Sequence, residues 1–118
     1  MPLVRRCFAV DLHGDPERIA AYRKWHEPGG PPAAVNAAIR ADGVESLEIW
    51  WVGDRLFMVM EQNSDAAPDP TAKQTRDAAN PDVAAWDALM AGFQKSLPFA
   101  SDQTWVEMER IYALSEQP

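Results

Sequence analysis

At 118 residues the chain has room for one domain of ordinary size and not comfortably for two, and its 47% hydrophobic content sits at the globular average, which excludes disorder over most of its length. Its 11 Lys+Arg against 18 Asp+Glu leave a formal charge of −7. With no basic cluster, such a chain repels phosphate backbones and anionic lipids, so nucleic acid and membrane are excluded as partners. The lone cysteine, Cys7, rules out an intrachain disulfide framework and fits a reducing, cytoplasmic compartment. Arg5 and Arg6 interrupt the first apolar stretch before it reaches signal-peptide length, and no apolar run approaches the ~20 residues that span a bilayer.

In chain order, Val4 to Leu12 is strand-like, and His13-Gly14-Asp15-Pro16 reads as a turn into a helix, with Asp15 as cap and Pro16 in the first helical position. That helix is expected to reach about His26, where Glu27-Pro28-Gly29-Gly30-Pro31-Pro32 breaks it. A second helix follows over roughly Ala33 to Ala41, with Val35 and Ile39 on one face and Gly43 as its stop. Val44 to Val52 and Arg55 to Gln62 are strands joined by Gly53-Asp54, a two-residue loop suited to a type II′ hairpin.

Residues 63–79 are polar and read as a flexible loop, with a short helix near Thr71 to Ala78. Asn80-Pro81 repeats the cap-plus-proline start, and Val83, Trp86, Met90 and Leu97 recur at helical steps up to Pro98, which predicts a helix ending there. A last strand is expected over Thr104 to Tyr112. The whole chain, 1–118, reads as a single α+β domain of order βαββαβ, a ferredoxin-like sandwich with both helical segments on one face of an antiparallel sheet. Leu47, Ile49 and Trp51 point to one side of the second strand, and Glu48, Trp50 and Val52 to the other. A monomer would leave one apolar set wet, so the pattern predicts a homodimer pairing sheet against sheet and burying Trp50 or Trp51.

Several chemistries lack their residues. There is no Gly-x-Gly-x-x-Gly or Walker-type loop to cradle phosphates, and no Gly-x-Ser-x-Gly elbow. The two histidines, His13 and His26, lack metal-ligand spacing, and a lone cysteine adds nothing to them, so no zinc or iron site is expected. Cys7, mid-strand, reads as a small buried hydrophobe.

What remains is a cluster. Tyr22 and His26, four apart, share a helix face where the helix ends, and Pro28-Gly29-Gly30 turns the chain away from them. A histidine there serves either as a general acid or base facing a pocket or simply as a partner of the helix dipole, and spacing alone leaves both readings open. Five tryptophans are many for this length. Most are expected in the core and interface. Trp86 followed by Asp87 could also stack on a sugar ring and accept its hydroxyl hydrogens, so the pocket suits a neutral polyol.

The run Tyr22-Arg23-Lys24-Trp25-His26-Glu27-Pro28, then Arg40-Ala41-Asp42-Gly43, Glu48-Ile49-Trp50, Arg55 to Glu61, Asp77-Ala78-Ala79-Asn80-Pro81 and Trp86-Asp87-Ala88-Leu89-Met90 resemble the L-rhamnose mutarotase family. The His-x-Pro-Gly and Trp-acidic-x-Leu-Met-x-x-Phe-Gln runs are most similar to its L-fucose mutarotase branch. The resemblance extends from Arg6 to Leu114. It implies a dimeric α/β barrel, a cofactor-free reaction on a monosaccharide, His26 as proton donor, and Tyr22 and Trp86 as substrate contacts. Two positions depart from the family pattern. Asp87 replaces the second of a tandem tryptophan pair, and Leu47 stands where the second strand carries a substrate tyrosine.

The reaction so implied interconverts α and β anomers of a 6-deoxy hexose, L-fucose ahead of L-rhamnose. A cofactor-independent monooxygenase-like barrel and a non-catalytic sugar-binding module are the rival readings. Oxygen consumption would single out the first, and sugar binding without anomeric exchange the second.

Overall fold

In a computed structural model, which describes residues 3–100 and 104–118, an antiparallel sheet carries its helices on one face. The elements are β1 (Val4–Leu12), α1 (Pro16–Trp25), α2 (Ala33–Ala41), β2 (Val44–Val52), β3 (Arg55–Gln62), α3 (Pro70–Ala79), α4 (Pro81–Phe93), β4 (Gln94–Lys95) and β5 (Val106–Met108). The sheet order is β2-β3-β1-β4, with β5 also paired to β1. This is the ferredoxin-like order, its last strand divided between β4 and β5. No helix among the described residues is long and apolar enough to cross a membrane.

The punctuation read from the sequence sets the boundaries. Asp15 caps α1 by accepting from the Glu17 N–H at 2.9 Å, and Asn80 caps α4 through the N–H groups of Asp82 and Val83. Each cap is followed by a proline whose missing N–H costs nothing at the start of a helix. Between β2 and β3, Gly53 adopts φ +59° while no described non-glycine residue has positive φ, the dihedral signature of a II′ turn.

Register fixes the two faces. Val10 pairs with Leu56, and Leu56 with Trp51, so Leu47, Ile49 and Trp51 share the helix-facing side with Leu56, Met58 and Met60. Val10, Leu12, Tyr22, Leu56 and Met90 form the buried core, each large aliphatic burial there contributing about 1.5–3 kcal/mol. The opposite face presents Trp50, 62% exposed, Val52, 61% exposed, and the half-buried Phe57 and Val59.

Two expected elements end early. The helix expected to run to Pro98 stops at Phe93. There the Phe93 carbonyl accepts from the His13 N–H at 3.1 Å, and Gln94 and Lys95 pair with Leu12 and Asp11. Ladder bonds on the open edge of β1 therefore outcompete about one more turn of helix, and Leu97 is buried outside the helix instead of on its face. The last strand spans Val106–Met108 and not Thr104 to Tyr112, because the pairing with β1 stops at Cys7. An Arg6–Glu107 ion pair fastens that end, and the chain then leaves the sheet, with Ile111 92% exposed.

The polar stretch before Asn80 holds a longer helix than expected, and an ion-pair network ties it down. Lys73 reaches Asp42 at 3.1 Å and Asp77 at 2.6 Å, while Arg76 reaches the same two carboxylates at 2.8 and 2.9 Å. Asp42 is buried at the end of α2, so the network clamps α3 to the α2–β2 junction.

Candidate active site

Between the helices and the exposed half of the sheet lies a cavity of about 520 Å3, within the ~300–1,000 Å3 range of small-molecule sites. Its sheet wall is Leu47, Ile49 and Met58, and its helical wall includes Tyr22, His26, Trp86 and Asp87. All four residues singled out from the sequence thus line one cavity, and Leu47 lines it as well.

His26 is placed by the end of α1. It is the C-cap residue, its backbone N–H bonded to the Arg23 carbonyl at 3.1 Å, and the chain then closes a turn through Gly30 N–H to the Glu27 carbonyl at 2.8 Å. A Cβ at Gly30 would run into the Trp25 carbonyl, so this tight exit from the helix needs glycine. The imidazole stacks on the Tyr22 ring, centroids 4.2 Å apart, and meets Trp86 edge to face at 5.4 Å. Its Nδ1 lies 2.7 Å from the Tyr22 carbonyl oxygen. A carbonyl only accepts, so Nδ1 carries the proton and Nε2 is left for chemistry.

The remaining polar groups differ in what they can do. Tyr22 is 3% exposed. Burial pushes its phenol above the ordinary value, and a hydrogen bond with the Gln94 side chain pulls the other way without cancelling that rise. It therefore stays a neutral hydroxyl throughout the physiological range. Asp87 is raised too, first by burial and then by the charge of Asp77, with Lys73 opposing. It is at helical spacing from Val83 and Met90 and adjoins Trp86 on α4, but it stands exposed at the rim of the cavity.

Other cavity residues escaped the sequence reading. Gln94 lines the cavity because α4 ends one residue before it, whereas a helix continuing to Pro98 would have placed it differently. Asn36, Thr104 and Trp105 also line it. Only Trp105 had a sequence signal, as one tryptophan among five. His13 is absent from the lining, and its backbone N–H instead holds the Phe93 carbonyl at the end of α4.

Fold and cavity together define a small α+β protein with a helix-end histidine facing an aromatic, weakly polar small-molecule site. A family profile described as L-rhamnose mutarotase matches residues 5–114. An L-fucose mutarotase of Xanthomonas campestris pv. campestris is 45% identical over 117 residues, covering 98% of this chain and 92% of its own. The crystal structure of an L-rhamnose mutarotase from Formosa agariphila superposes with a TM-score of 0.65 at 18% identity, covering 94% of this chain and 98% of that one, a likeness of fold. The chain belongs to the L-rhamnose mutarotase family.

Proposed function

We propose that this protein is an isomerase that interconverts the α and β pyranose anomers of a 6-deoxy hexose, with L-fucose as the preferred sugar. The observation that carries the reading is the His26 imidazole, held through Nδ1 and lining an aromatic-walled cavity of monosaccharide scale. The pyranose opens when its ring oxygen gains a proton as the anomeric hydroxyl loses one. Rotation about C1–C2 and reclosure on the other face give the second anomer, with protons returning to their donors. His26 supplies the ring-oxygen proton from Nε2 in its imidazolium form and recovers it on reclosure, a positioned proton transfer worth ~10²–10⁴-fold. Proton transfers alone complete this reaction, so it calls on no cofactor.

Tyr22 and Trp86 shape the ring's seat, the tryptophan through its face and the tyrosine as a fixed neutral hydroxyl. Family membership and the 45% identity to an L-fucose mutarotase support the choice of sugar, as do two departures. At the cavity, Asp87 and Leu47 stand where the family pattern carries aromatic residues, which changes the set of hydroxyls that can be satisfied. Saturation-transfer NMR tests the reading. Protein-dependent exchange between the anomeric signals of L-fucose is expected, and its absence with both L-fucose and L-rhamnose would overturn it.

We further propose that the protein acts in the cytoplasm as a homodimer whose sheets pack through the face carrying Trp50, Val52, Phe57 and Val59. Exposure of Trp50 and Val52 supports the arrangement, since sheet-to-sheet pairing covers an apolar face that one subunit alone leaves to water.

A further inference from the structure

We infer that Asp87 is the second catalytic residue, the base that takes the anomeric hydroxyl proton while His26 protonates the ring oxygen. The inference rests on the anomer-exchange reading and assigns the other half of that proton transfer. Opening a pyranose needs two groups acting in opposite senses. Besides His26, the titratable side chains lining the cavity among the described residues are Tyr22 and Asp87. Tyr22 is almost wholly buried, engaged by Gln94, and neutral at the pH of the cell, so it can hold a hydroxyl but not strip one.

Asp87 has the opposite character. It stands exposed at the rim of the cavity, on the α4 stripe that also carries the buried Val83 and Met90 at helical spacing. No side-chain hydrogen bond or ion pair engages it among the described residues, and it stands where the cavity meets the groove between α3 and α4. The charged groups facing it are Asp77 and Lys73 of α3, and these are already bound to each other and, through Lys73, to Asp42. His26 lines the cavity at the C-terminal end of α1, while α2, β2 and β3 contribute only uncharged residues, and β4 the neutral Gln94. The Asp87 carboxylate is thus unengaged among the described residues, and partial burial together with the Asp77 charge makes it more basic than an ordinary aspartate.

The step balances. The Asp87 carboxylate accepts the proton of O1–H, the C1–O5 bond breaks as the C1–O1 bond becomes a carbonyl, and the ring oxygen takes the Nε2 proton of His26. After rotation, O5 re-adds to the aldehyde, its proton returns to His26, and Asp87 returns one to O1. The starting pair, carboxylate and imidazolium, is restored with no net transfer.

The test is the pH profile of kcat/KM for L-fucose anomer exchange in the wild type, Asp87→Asn and Asp87→Glu. The wild type is expected to lose rate on the acid side as the Asp87 carboxylate protonates, at a pH above that of an ordinary aspartate because burial and the Asp77 charge raise it. Asp87→Asn, which keeps size and hydrogen-bonding capacity, should lower kcat at least about tenfold and abolish the acid limb while the circular dichroism spectrum is unchanged. Asp87→Glu should restore an acid limb with partial activity. Retention in Asp87→Asn of both the limb and a kcat within about threefold, with any loss confined to KM, would overturn the inference and leave Asp87 as a binding group. A wild type inactive on both sugars would instead overturn the anomer-exchange reading itself.

Discussion

Tyr22 holds His26 twice, with its ring stacked 4.2 Å from the imidazole and its backbone carbonyl 2.7 Å from Nδ1. The hydrogen bond selects the tautomer and the stack selects the ring plane, both from one residue a helical turn earlier. Removing the phenol hydroxyl leaves the carbonyl bond and most of the stack intact. Tyr22→Phe should therefore raise KM for the sugar more than it lowers kcat, whereas Tyr22→Ala, which also opens the core, should lower both. Steady-state anomer exchange on the two variants checks this, and an equal kcat loss in both would contradict it.

Substrate preference should follow Asp87 and Leu47. L-fucose is expected to exchange faster than L-rhamnose by about tenfold or more, because a buried polar group left without its hydroxyl partner costs ~1–3 kcal/mol. Asp87→Ala should lose L-fucose exchange. Parallel NMR measurements at equal sugar concentration decide this, and faster exchange of L-rhamnose would reverse the assignment.

Trp50 and Trp51 are adjacent, yet they face opposite sides of the sheet. Trp51 lies on the helix side under the Arg23 guanidinium, 4.7 Å from its ring centroid, and Trp50 stands on the uncovered side. Sedimentation equilibrium should give a mass near twice the 13.1 kDa of one chain. Trp50→Arg should shift it toward the monomer, while Trp51→Gln should not. A monomeric wild type at micromolar concentration would remove the sheet-to-sheet dimer.

Acid should loosen α3. Burial alone would raise the Asp77 carboxyl, but hydrogen bonds and charges from Lys73 and Arg76 outweigh it and hold the group below its ordinary value. A depressed folded-state value contributes stability above the unfolded value of ~3.9 and loses it as pH falls through the folded value. Thermal stability should thus drop below about pH 4 and be insensitive to this group between pH 6 and 8. Asp77→Asn should lower the neutral Tm and flatten the acid slope. An unchanged acid slope would show that the network contributes nothing.

The core sets a second stability expectation. Leu56 is 2% exposed and joins β3 to the Tyr22–Met90 cluster. Leu56→Ala should cost ~2–5 kcal/mol in urea unfolding, through lost burial and the cavity left behind. A cost below about 1 kcal/mol would mean that the cluster collapses around the gap.

Much of this was legible from the chain alone, for local reasons. Caps at Asp15 and Asn80, prolines after them and the Gly53 turn are short-range signals, and β2 and β3 alternate clearly enough to define two faces. Tyr22 and His26 met because helical spacing guarantees it. What stayed hidden depends on contacts distant in sequence. The end of α4 is decided by the free edge of β1, which captures Gln94 and Lys95, and nothing near residue 94 announces that competition. Gln94 entered the cavity by the same event. The extent of β5 is likewise set by where β1 offers partners, not by the apolar character of Ile111 and Tyr112.

The central claim is that His26 moves the ring-oxygen proton, and saturation-transfer NMR on L-fucose with the wild type, His26→Ala and His13→Asn tests it most directly. With the fold verified by circular dichroism, His26→Ala should lose at least about tenfold in anomer exchange, the scale of a missing general acid, while His13→Asn matches the wild type. Equal exchange in His26→Ala and the wild type would contradict the mechanism.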